Sequence, residues 1–262
     1  MIDLMSGVSA RFSSPAADGV FVFAPSADRN ALATVNRGTG VSLIDADSGK
    51  ALFTNPSLYP FVLHGRCLAV SANKRWLALR LSDQVVLEDT TRPSNMPAIP
   101  CSGPFAFAPV GEELAVVNRF VVGIHDLSNR DVHDLICENE VHKLHFAPDG
   151  RRLLVATEVD VVVLDATSGK PTARLKEIGW ATALACSPAG NVVAVGRHGE
   201  LILWNLSTGK HHTVPIPGHS GYPWTLPTAV FAGVCAFWSI LRSRKNRQAT
   251  GKPDSTQLMG LS

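Results

Sequence analysis

The chain has 262 residues, 45% of them hydrophobic, with a formal charge of +2 when His is neutral. That length sustains one domain with a sizeable core. The near-neutral balance argues against nucleic acid as a main ligand, because neutralising phosphates takes a dense basic surface. Cys67, Cys101, Cys137, Cys186 and Cys235 are widely spaced and form no Cys-x-x-Cys, a pattern of reduced, mostly buried thiols rather than of a disulfide framework or a zinc site.

Residues 1–19 read as a lead-in. They lack a basic stretch followed by an apolar core, so no export signal is expected there. A turn, Phe23-Ala24-Pro25, then opens a pattern that recurs. Two β-rich runs follow it at 31–35 and 41–44, and the unit closes on Asp45-Ala46-Asp47-Ser48-Gly49-Lys50. A worn second copy has runs at 68–72, 76–79 and 85–87 and ends at Asp89. The third copy carries Phe107-Ala108-Pro109, runs at 114–117 and 121–124, and Asp126-Leu127-Ser128-Asn129. The fourth has Phe146-Ala147-Pro148-Asp149-Gly150, runs at 153–156 and 159–164, and Asp165-Ala166-Thr167-Ser168-Gly169-Lys170. In the fifth, Cys186-Ser187-Pro188 precedes runs at 192–195 and 201–204 and Asn205-Leu206-Ser207-Thr208-Gly209-Lys210. Aliphatic and β-branched runs between Pro, Asp and Gly turns predict short antiparallel strands.

Pro25, Pro109, Pro148 and Pro188 are 84, 39 and 40 residues apart, and the first interval holds two copies. A period of roughly 40 residues is the length of one four-stranded propeller blade. The chain resembles the WD-repeat β-propeller family over residues 20–215. The resemblance rests on the Phe-Ala-Pro or Cys-Ser-Pro turns paired with Ser-Gly-Lys or Thr-Gly-Lys turns about twenty residues later. It implies an all-β fold of about five four-stranded blades, closed or incomplete, and a role in binding other proteins. Only Trp204-Asn205 approaches the family's Trp-Asp pair, and Gly218-His219 falls after the last repeat. The buried tetrad of the family is therefore not carried over.

Residues 216–221 read as a linker. Residues 222–241, from Tyr222 to Leu241, contain no charge, and twenty residues at ~1.5 Å each give about 30 Å, the thickness of a bilayer core. Tyr222, Trp224 and Trp238 stand where interfacial aromatics are found. A single transmembrane helix, with the lipid bilayer as partner, is the expectation; a helix plugging an open propeller is the alternative. Arg242, Arg244, Lys245 and Arg247 begin the basic, then polar tail of 242–262. Charge bias would put that tail in the cytosol and the propeller outside. The reduced cysteines and the visible start favour a cytosolic propeller.

Reactive constellations are hard to find. The Ser-Gly-Lys and Thr-Gly-Lys triplets follow strands and lack the leading glycine of a phosphate loop, so they read as hairpin turns. His219-Ser220 lacks nucleophile-elbow spacing. His142 and His145, three apart on a strand, should point to opposite faces, and His211-His212 reads as a solvated strand end. Asp45, Asp89, Asp126 and Asp165 recur once per repeat, which suggests carboxylates that accept backbone N–H bonds in turns. The expectation is a non-enzymatic, membrane-tethered scaffold that recruits a protein partner through its loop face. No catalytic, cofactor-binding or metal-binding residue is assigned. The alternatives are an enzyme or sensor subunit with a small ligand in the channel, and a remnant of a longer membrane protein.

Overall fold

The computed structural model describes residues 20–26, 30–36, 40–58, 68–92 and 96–216. The runs read from the sequence become short strands, grouped in fours. Blade 1 holds β1 (Val20–Pro25), β2 (Ala31–Asn36), β3 (Gly40–Asp45) and β4 (Ala51–Asn55). Blade 2 holds β5 (Leu68–Val70), β6 (Trp76–Leu81), β7 (Gln84–Asp89) and β8 (Ile99–Pro100). Blade 3 holds β9 (Phe105–Phe107), β10 (Glu113–Asn118), β11 (Val121–Asp126) and β12 (Val132–Ile136). Blade 4 holds β13 (Val141–Phe146), β14 (Arg152–Thr157), β15 (Val161–Asp165) and β16 (Pro171–Leu175). Blade 5 holds β17 (Ala183–Cys186), β18 (Val192–Arg197), β19 (Glu200–Asn205) and β20 (His211–Pro215).

Each blade is an antiparallel meander whose strands lie in sequence order. The first strand of each blade is innermost: β1 packs on β5, β5 on β9, β9 on β13 and β13 on β17. This up-and-down course sends the first and third hairpins of every blade to one end, the turn face. The second hairpins and the blade-to-blade links emerge at the other, the link face.

The third hairpins show why the repeats carry their motif. In blades 1, 4 and 5, Gly49, Gly169 and Gly209 each sit at φ +69°, a left-handed conformation that costs glycine nothing. Blade 3 forces Arg130 into it at φ +69°. At the head of each turn a side chain caps the backbone. Asp45 Oδ1 accepts from the N–H and hydroxyl of Ser48 at 2.7 and 2.6 Å, and Asp165 does the same with Ser168 at 2.7 Å for both. Asp126 takes the equivalent bonds from Ser128, Asp89 from Thr91, and Asn205 accepts from the N–H groups of Ser207 and Thr208. The recurring acid is thus a turn cap in four blades.

Alternation along each strand gives every blade two apolar faces, and blades stack through them. Four joints are built this way. Ala33 and Leu43 of blade 1 meet Leu77 and Leu79 of blade 2, and Trp76 and Leu87 meet Leu114 and Val116. Val122 and Ile124 meet Leu153 and Val155, and Leu154 and Val163 meet Val193 and Trp204. The last apolar group, Ala185 and Ala194 with Leu201 and Leu203, belongs to blade 5 alone. Among the described residues, β17 and β1 are not a closely packed pair. Among these residues the joint from blade 5 to blade 1 is not sealed like the other four.

The expected span at 222–241 lies outside the described residues. Among the described residues no helix is long and apolar enough to cross a membrane.

Candidate interaction surface on the link face

Four large apolar side chains are displayed on the link face of blades 3 and 4 and their links: Phe120 is 50% exposed, Ile136 84%, Val159 45% and Trp180 51%. Phe120 lies in the β10–β11 turn and Ile136 ends β12. They are brought side by side because the Cys137 N–H donates to the Phe120 carbonyl at 2.7 Å. Val159 lies in the β14–β15 turn, and Trp180 in the link from blade 4 to blade 5. The Ile178 and Gly179 N–H groups donate to the Val159 carbonyl at 2.9 and 3.2 Å, so this second pair is also held together. Contiguous exposed apolar groups, unlike scattered ones, mark a surface as a candidate for interaction.

Trp180 is not a free rotor. Its ring stacks on His142 with centroids 3.8 Å apart and planes 30° from parallel. His142 reaches it because β13 carries a bulge there: Val141 pairs with Thr157 and Lys143 with Ala156, leaving His142 as the extra residue. A bulge re-aims a side chain, which period-two alternation along β13 does not anticipate. The His142 Nε2 is buried with no hydrogen-bond partner and lies 3.7 Å from the Glu158 carboxylate. His145, farther along β13, is crowded closely enough that burial pushes its imidazole down to about 4. His211 and His212 are exposed at the start of β20.

The rest of the described surface offers little chemistry. A cavity of about 110 Å³ lies between blades 3 and 4, lined by Cys137, Thr157, Asp160 and Arg174 among others. That is far below the roughly 300–1,000 Å³ of small-molecule sites. Its cation is already occupied: Arg174 Nη1 lies 2.9 Å from the Glu138 carboxylate and 3.4 Å from that of Asp160. Burial pushes the Cys137 thiol up and the Cys186 thiol up to about 11, so both hold their protons at neutral pH and are poor nucleophiles. Cys101, Cys137 and Cys186 form no disulfide; Cys67 and Cys235 lie outside the described residues. No group of three or more His, Cys, Asp or Glu among the described residues could hold a metal ion. The triplet at 218–220, with His219 and Ser220, is also outside them.

A second polar cluster joins blades 2 and 3. Glu112 accepts from Asn73 Nδ2 at 2.6 Å and from the Trp76 indole N–H at 3.0 Å. Arg75 lies 3.4 Å from Glu112 and 3.0 Å from Asp89, and its guanidinium stands 4.9 Å from the centre of the Trp76 ring. Every polar end is satisfied from within, which makes the cluster a clamp rather than a site.

Five four-stranded meanders with their first strands inward define a propeller-like protein. No protein-family model matches the chain, and no curated protein does. A solved structure of Kuenenia stuttgartiensis hydrazine synthase is similar over 82% of this chain and 71% of the matched chain, with a TM-score of 0.59 and 17% identity. That likeness supports the fold alone, and a fold shared with many proteins does not carry function across.

Proposed function

We propose that the chain is a non-enzymatic interaction module, a WD-like propeller that binds another protein through its link face and is held at a membrane by residues 222–241. The observation that carries the reading is the exposure of Phe120, Ile136, Val159 and Trp180 on one face, with Trp180 braced by His142. A pre-positioned exposed aromatic loses little entropy on binding and is the usual energetic centre of an interface. Twenty uncharged residues after blade 5 support the tether.

The test is quantitative cross-linking in cells with the intact chain, the Phe120→Ser/Trp180→Ala double variant and a Val110→Ser control on the turn face. The double variant is expected to lose a specific cross-linked partner at least tenfold, with unchanged melting, while the control keeps it. Equal capture by all three chains refutes the link face as the binding surface. Flotation with phosphatidylcholine vesicles tests the tether, which Val230→Lys should abolish.

A further inference from the structure

The unsealed joint has two walls whose exposure sets them apart. In blades 1 to 4, the residues that correspond to Leu201 and Leu203, such as Val41 and Leu43 or Val161 and Val163, are at most 2% exposed. Leu201 and Leu203 themselves are only half-buried. The far wall repeats the contrast. Leu32 and Ile44 of blade 1 occupy the places of Val193 and Trp204 in blade 5, which are 0% and 2% exposed, yet both are half-buried. At the outer rim, Val214 is 44% exposed and Leu52 53%; strand register puts Val214 on the face of Leu201. Among the described residues the array therefore ends in two half-buried apolar walls, one on blade 5 and one on blade 1, without the tight joint that the inner blades share.

We propose that this slot between blades 5 and 1 is the docking site for the chain's own residues 222–241 when no bilayer is present. A segment apolar all round must be covered on more than one side, and the slot supplies two walls. The sizes agree. A blade face of four strands about 4.8 Å apart and about five residues long covers roughly 300 Å², and a twenty-residue helix some 30 Å long and 10 Å wide presents a similar area. Even two such walls, about 600 Å² together, fall short of the roughly 800 Å² per partner that a stable dimer buries, which disfavours a second copy as the occupant. A tethered segment needs no such area, because its effective concentration is high.

The path is short. The Ile216 N–H donates to the Gly199 carbonyl at 2.7 Å, fixing the end of β20 at the link face beside the slot. Residues 217–221 then span up to about 17 Å, enough to cross the roughly 14 Å from the outermost to the innermost strand of a blade. The docked and membrane-inserted positions exclude each other, so the slot is a holding site from which the span leaves for lipid. The inference rests on the same segment as the membrane reading, and the experiment separates them.

The photo-reactive residue p-benzoylphenylalanine is placed at position 52 in the full chain. It is illuminated at low micromolar concentration, with and without phosphatidylcholine vesicles, and the products are mapped by mass spectrometry. Intrachain cross-links from position 52 to residues 222–241 are expected without vesicles, falling at least fivefold when vesicles are added or when Leu203→Glu is introduced. Cross-links that run only to blade 5 mean that the ring closes on itself, and overturn the proposal. Flotation without any prior cross-link to 222–241 also overturns it while leaving the tether standing. A cross-link that vesicles do not diminish, in a chain that does not float, keeps the docking site and removes the tether.

Discussion

Replacing Glu112 by Ala tests whether the polar clamp between blades 2 and 3 stabilises the molecule. Trp76 is 4% exposed, so losing the acceptor at 3.0 Å strands a buried indole N–H, at a cost of about 1–3 kcal/mol. The ion pair with Arg75 is partly exposed, at 29% and 17% for the two side chains, and contributes only about 0.2–1 kcal/mol. Asn73, at the surface, regains water. The sum is about 1–4 kcal/mol, and with a urea slope of about 2–3 kcal/mol per molar for a domain of this size the midpoint should fall by about 0.5–1.5 M. The assay is urea unfolding followed by circular dichroism, repeated in a Trp76→Phe background that has no indole donor. There the cost of Glu112→Ala should shrink to under about 1 kcal/mol, since the two groups are coupled. An unchanged cost in that background, or a midpoint shift below about 0.3 M, refutes the assignment of the clamp to the indole bond.

Two further outcomes follow from the turns. Arg130→Gly replaces the left-handed residue at φ +69° with the one that blades 1, 4 and 5 use, and it should raise stability by about 0.5–1 kcal/mol. A rise of about 2–4 °C in melting temperature would register it. Hydrogen bonds from Ser48, Ser128 and Ser168 hold Asp45, Asp126 and Asp165 below the usual carboxylate range. Their stabilisation is therefore complete above the unfolded value of about 3.9 and fades as the pH falls through their lower folded values. The triple variant Asp45→Asn/Asp126→Asn/Asp165→Asn should lose less stability between pH 5 and pH 3 than the parent, as measured by urea midpoints, and equal slopes would contradict the capping role.

The repeat was legible because each blade must spend a Pro or Gly turn and an Asp or Asn cap at fixed offsets, and these residue types are rare elsewhere in strands. Blade 2 reads as worn for a visible reason: Lys74 takes the left-handed position at φ +64° where blades 3, 4 and 5 have Gly111, Gly150 and Gly190. Its β8 is only two residues long. The link-face surface was not legible. Phe120, Ile136, Val159 and Trp180 are spread over sixty residues, and only the meander carries them to one end. The bulge at His142 leaves no mark in composition or period, so alternation places that ring without regard to Trp180. The Glu112 clamp joins residues 36 to 39 positions apart, close to one repeat, and a search for polar pairs at that offset could have found it.

Among the described residues, four sealed joints and one unsealed one give the blades the order of a row of dominoes rather than of a wheel. In a closed ring each element leans on two neighbours and no position is first to go. Here blade 3 has the full complement of sealed neighbours on both sides out to the second rank, while blades 1 and 5 each lean on one. Protection should therefore grade from both tips toward the middle, and a lineage could lengthen or trim this row one tile at a time without disturbing the tiles already standing.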